Sequence, residues 1–341
     1  MTKIKSLFIS LLLTLGVSSA IAGSHGSTLD LVKERGKLMC GSNTGLAGFG
    51  APNDAGVWEG IDVDVCRAVA AAVFGDASKV EYVPTTSKVR FTVLQSGEID
   101  MLSRNTTWTL SRDVDLGLEF VGVNYYDGQG FMVPASLGVN SAMELDGASV
   151  CIQVGTTTEM NLADFFKANG MSYESVPVET NSEADAAYTA GRCDVYTTDA
   201  SGLYASRAGY PDPSAHVVLP EIVSKEPLGP AVRHGDSEWA DIVRWSLNAM
   251  IIGEELGITS GNVDEMMSSN NPEVLRLLGA EPGYGAMLGL SDDWAANILS
   301  QVGNYSESFE KHIGVNTPIN IARGLNALYK DGGILYAPPF R

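Results

Sequence analysis

Short apolar runs alternate with helical spacing from about Leu38 onward. The pattern predicts strands over 37–41, 80–84 and 99–103, with helices over 61–74 and 87–96 between them. A second series of the same kind begins near Val150, with strands over 149–154, 173–178 and 194–199 and helices over 157–169, 182–190 and 202–208. Such alternation builds a parallel sheet covered by helices, so two series imply two α/β lobes. Between them, residues 121–134 (VGVNYYDGQGFMVP) and the return stretch 217–232 read as extended chain. Two extended crossings predict a hinge. Beyond Asp236 the spacing of Trp239, Ile242, Val243, Leu247, Met250 and Ile251 is that of a core-facing helix. Helical character continues to about Tyr329, and this tail is expected to pack on the first lobe. A faint internal echo supports the two-lobe reading: Leu94 to Ser103 can be laid over Tyr188 to Thr197, each reading as helix, glycine and strand. Each of these strands ends in a polar cluster, Arg104-Asn105-Thr106-Thr107 in one and Thr197-Thr198-Asp199 in the other. Ligands bind at the carboxyl ends of strands in open parallel sheets, so a cleft between the lobes is the expected pocket.

The N-terminus is expected to send this fold out of the cytoplasm. Lys3 and Lys5, an apolar run from Leu7 to Val17, and Ala20-Ile21-Ala22 form the pattern of a cleaved secretory signal over residues 1–22. The apolar run is shorter than the roughly 20 residues that span a bilayer, and no lipobox cysteine is near the junction. The expected division is a mature chain from about Gly23, a first lobe over 23–130, a second over 131–222, and a return with the helical extension over 223–341. The chain carries 22 Lys and Arg against 41 Asp and Glu, a net charge of −19. That balance disfavours nucleic acid and anionic bilayers as partners. A monomer without metal or cofactor is expected.

Export puts the four cysteines where disulfides persist. Count alone allows three pairings. Cys40 ends the first strand and Cys66 lies in the helix after it, while Cys151 and Cys193 belong to the second series, so Cys40–Cys66 and Cys151–Cys193 are the expected bridges. Zinc is disfavoured, since no two cysteines have Cys-x-x-Cys spacing.

A small zwitterionic solute in such a cleft would need donors for its carboxylate and an acidic partner for its cation. Arg112, shortly after the strand ending at Ser103, can grip a carboxylate through two parallel bonds, with Asn105 and Thr107 as further donors. Gly155-Thr156-Thr157-Thr158-Glu159 opens a helix directly after a strand, where free N–H groups attract anions. Thr156 and Glu159 fit a capping box, which leaves Thr157 as the ligand donor. Asp199 ends a strand and is placed either to pair with an ammonium or to cap the next helix. Arg90 is positioned to reach an acidic side chain or to stand as a solvated charge. Phe49, Trp58 and Trp108 are aromatic candidates for the cleft. Enzymatic alternatives find little support: there is no Gly-x-Ser-x-Gly, His-Glu-x-x-His or Walker pattern, and His25, His216, His234 and His312 stand beside no nucleophile.

Several segments resemble one family: CGSNTGLAGFG from Cys40, GIDVDVCRAVAAAVFGD from Gly60, LQSGEIDMLSRNTTWTLSRD from Leu94, CIQVGTTTE from Cys151, AGRCDVYTTDASGLYA from Ala190 and the closing YAPPFR. They are similar to the polar amino-acid-binding proteins of ABC importers, solute-binding protein family 3, in its general L-amino-acid-binding branch. The resemblance implies a type II periplasmic-binding-protein fold that closes on an L-amino acid and docks on a membrane permease. It places the carboxylate grip on Asn105, Thr107, Arg112 and Thr157 and the ammonium partner on Asp199. Where many relatives stack the side chain between aromatic rings, this chain has Leu46 and Ser87, which implies a broader or more polar ligand range. The alternative on the same scaffold is a cyclohexadienyl or arogenate dehydratase-like enzyme using Glu159 or Asp199 as an acid.

Overall fold

The first strand pair explains the topology. In the computed structural model, which describes residues 27–341, the apolar strand Leu38–Asn43 lies parallel to Val80–Thr85 on one side and Met101–Leu102 on the other. Ser149–Gln153 does the same in the second series, between Glu174–Val178 and Val195–Asp199. The expected signal segment and His25 lie outside the described residues.

Each sheet also takes in an antiparallel strand from one of the two extended crossings. Gln129–Pro134 joins the second sheet antiparallel to Val195–Asp199, and Ala231–Arg233 joins the first antiparallel to Leu118–Phe120. The two extended crossings therefore each split into a hinge piece and a sheet strand. The hinge pieces, Tyr125–Asp127 and Glu226–Leu228, pair antiparallel, with Glu226 opposite Asp127. Tight packing dictates glycine at both ends of this ribbon. A Cβ on Gly128 would stand 2.8 Å from the Ser224 carbonyl oxygen, and one on Gly229 would stand 1.9 Å from that of Gly122.

The predicted elements differ from the observed ones mainly at their ends. The 87–96 helix forms only over Arg90–Gln95, and the 99–103 strand pairs only over Met101–Leu102. Its remaining residues turn away to bring Arg104 and Asn105 to the cleft, Asn105 with a left-handed φ of 26°.

The lobes differ in the size of their cores, although the first also has a smaller one around Leu94 and Phe120. In the first, helix Ile61–Phe74 packs against Ser237–Glu255 and Trp294–Gln301, so the C-terminal helices share one continuous core with the sheet. In the second, smaller cores lie on either side of the sheet, one around Phe131 and Phe166 and one around Tyr188 and Tyr196. A disulfide ties each lobe internally: Cys40–Cys66 with Cα atoms 6.2 Å apart, and Cys151–Cys193 at 5.6 Å. No helix among the described residues is long and apolar enough to cross a membrane.

Candidate functional site

Strand ends from both sheets meet at one small polar cavity. Arg90, Asn105, Thr107, Thr157 and Asp199 line it together with Arg104 and Gln153. Its volume is about 20 Å³, room for the centre of a water molecule and little else, so in this arrangement the lobes are closed over the site. A wider groove of about 870 Å³ lies beside Glu179 and Arg192, but none of the convergent charges reaches it.

The first lobe supplies cations. Arg90 and Arg104 are 2% and 3% exposed, and neither forms an ion pair among the described residues. Arg104 is braced by its Nε donating to the Thr85 carbonyl at 2.9 Å. Arg90 donates through Nη1 to Thr106 at 3.2 Å, and its buried Nε has no partner. Burial lowers the pKa of both, that of Arg104 to about 10, and repulsion from neighbouring arginines adds to it. Arg112 stands just behind the cavity wall, on the turn Ser111–Asp115, where its Nη1 donates to the Thr107 carbonyl at 2.9 Å. Its guanidinium lies 5.1 Å from the centre of the Phe91 ring.

The second lobe and the hinge supply carboxylates and hydroxyls. Asp199 immediately precedes helix Ala200–Ala208 yet makes no capping bond. It lines the cavity with Asn105 of the other lobe, and the helix start is served instead by Gly128 and Asp127. Burial first, then repulsion from Asp127 and Glu226, raises the Asp199 pKa well above the ordinary range. Burial also pushes Asp127 up to about 6. At the start of helix Thr157–Ala168, Thr156 accepts from the Glu159 amide at 3.1 Å. The Glu159 carboxylate accepts from the Gly155 amide at 2.9 Å, so the box closes one residue earlier than its motif implies.

Several residues fall elsewhere. Phe49 packs edge-on against Tyr125 in the core, Trp58 stacks on Tyr82 and Trp108 on Phe120, so none of these aromatics lines the cavity. Leu46 and Ser87 close the lobes on one another. Leu46 is 4% exposed near Gly202, and Ser87 donates to the Val154 carbonyl at 2.9 Å. His312 bonds Asp64 at 2.8 Å and His216 faces Tyr188, both away from the cleft.

Two participants went unrecognised in the sequence. Arg104 is visible there as part of a polar cluster, but no spacing singles it out from Asn105 or Thr106. Glu226 sits in a return stretch read only as hinge; in the structure it is 1% exposed and bonded to Thr107 and Thr157.

Comparison with known proteins agrees with this geometry. The chain is 59% identical over 331 residues to the general L-amino acid-binding periplasmic protein AapJ of Rhizobium johnstonii, covering 96% of each. It is 58% identical over 330 residues to the glutamate/glutamine/aspartate/asparagine-binding protein BztA of Rhodobacter capsulatus, covering 96% of this chain and 98% of that one. Among solved structures, a periplasmic binding protein from Brucella ovis with glutathione bound superposes with a TM-score of 0.91 at 57% identity, covering 93% of this chain and all of that one. The fold is thus the type II fold of periplasmic amino-acid-binding proteins. Residues 38–258 match the model of one family, and with these relatives they establish that the chain belongs to the bacterial extracellular solute-binding proteins, family 3.

Proposed function

We propose that this protein is the periplasmic binding component of an ABC importer, which captures L-amino acids of several kinds and passes them to a membrane permease. The observation that carries the reading is the division of charge across the cleft. Buried arginines face buried carboxylates, and an α-amino acid is a zwitterion that complements both. Arg112, with Asn105, Thr107 and Thr157, holds the α-carboxylate; Asp199 holds the ammonium; Arg90 reaches an acidic side chain. Breadth follows from Leu46 and Ser87, which put no aromatic clamp over the ligand side chain. The names of the relatives, which include a general amino-acid binder and a binder of four acidic and amide side chains, support the same breadth.

The expected units, 23–130 with 223–341 and 131–222, turn about the hinge ribbon, with the boundary moved back so that Gln129 and Gly130, which pair with Asp199 and Thr198, go with the second. The protein works as a monomer, exported by a signal removed near Ala22. No reaction is assigned to the cleft. Calorimetric titration of the mature protein, unfolded and refolded to strip carried ligand, against the common L-amino acids tests the reading. Tight binding of several is expected. Binding of none overturns it.

A further inference from the structure

Glu226 begins the hinge strand Glu226–Leu228, and its two oxygens serve different neighbours. Oε2 accepts from Thr107 Oγ1 at 2.5 Å and from Thr157 Oγ1 at 2.8 Å, one hydroxyl from each lobe. Oε1 accepts from Ser224 Oγ and from Asn161 Nδ2, each at 2.7 Å. Four donors fill the lone pairs of one buried carboxylate, so it is fixed in place. Two consequences follow for the carboxylate grip. The hydroxyl protons of Thr107 and Thr157 point at Glu226, which leaves their backbone N–H groups and Arg112 for a ligand carboxylate. The field of Arg112 is also shared, since Glu226 is the foremost negative charge acting on it.

We propose that Glu226 is a positioning residue of the carboxylate grip and that its resident charge holds the affinity of that grip down. It fixes both threonines from the hinge, and an incoming carboxylate binds against a carboxylate that already shares its partners. Affinity thereby stays low enough for release when the hinge opens. The inference rests on the amino-acid reading above.

The test separates charge from structure. Wild-type protein and Glu226→Gln are titrated with L-alanine, L-glutamine and L-glutamate and with the α-amide of each. The variant keeps an acceptor for the threonines and loses the charge, so the free acids bind about five- to tenfold tighter while the amides change by less than about twofold. Simple structural damage weakens acids and amides together. An acid-to-amide ratio that is unchanged, or that moves toward the amides, overturns the proposal. Glu226→Asp, which keeps the charge and draws it back by one methylene, is the second variant should the first not fold. It moves the ratio in the same direction by a smaller factor, and an unchanged ratio again overturns the proposal. Wild-type protein that binds no amino acid at all sinks the functional reading instead, a result distinct from a normal wild type with an unmoved ratio.

Discussion

The two walls of the cleft are built from equivalent strand ends, yet they carry opposite chemistry. On the first lobe the chain leaves the sheet at Ser103 and delivers Arg104, Asn105 and Thr107 beside Arg90, with Arg112 behind them. On the second it leaves at Asp199 and begins a helix at once, while the neighbouring strand delivers Thr157 at a helix N-terminus. Guanidiniums face carboxylate and hydroxyls. The difference shows that one topology, used twice, gives two positions for functional groups and leaves their sign to the side chains. A zwitterion needs both signs, so neither lobe alone is a site.

Removing the grip from the first wall breaks this comparison most severely. Arg112→Ala is expected to lower amino-acid affinity by about 3–4 kcal/mol, roughly two to three orders of magnitude, read by calorimetry. Unchanged affinity would place the carboxylate elsewhere. The second wall can be attacked through its staple instead. Cys151→Ser with Cys193→Ser should cost the second lobe about 3 kcal/mol against urea, while binding at low temperature persists. Equal loss of stability in both lobes would argue against independent cores.

Asp199→Asn tests the second wall's charge and should weaken binding by about 2 kcal/mol, near thirtyfold, since the ammonium loses its ionic partner. The same residue gives a pH test whose sign follows from burial. Its pKa is raised in the protein, and a bound ammonium favours the ionised form, so affinity falls as the solution is acidified through that raised value. Binding near it should release protons, seen as a dependence of the calorimetric heat on buffer ionisation. Proton uptake would reverse the assignment. The mildest probe is Thr156→Ala, which removes the helix cap beneath Thr157 and should cost about 1 kcal/mol of stability with little change in ligand preference.

Much of the site was legible because its residues are local to strand ends. Asn105, Thr107, Thr157 and Asp199 each follow directly from a strand or helix boundary that periodicity marks, and the structure gathers them in one cavity. Arg104 was harder to single out, because a run of polar residues after a strand does not say which side chain turns inward. Asp199 left two readings open, since any aspartate before a helix resembles a cap. Only the fold shows that it makes no capping bond and lines the cavity among residues of the other lobe.

The sequence by itself determined the alternating elements, the two-lobe plan and the residues available at the strand ends, because these depend on spacing along the chain. Tertiary structure decided which of those residues meet. Thr107 and Thr157 are 50 positions apart, and Glu226 is a further 69 beyond Thr157, yet one carboxylate binds both hydroxyls. No local pattern encodes such a contact. It exists because the hinge ribbon returns the chain between the lobes, and because a buried carboxylate must find donors wherever the fold brings them.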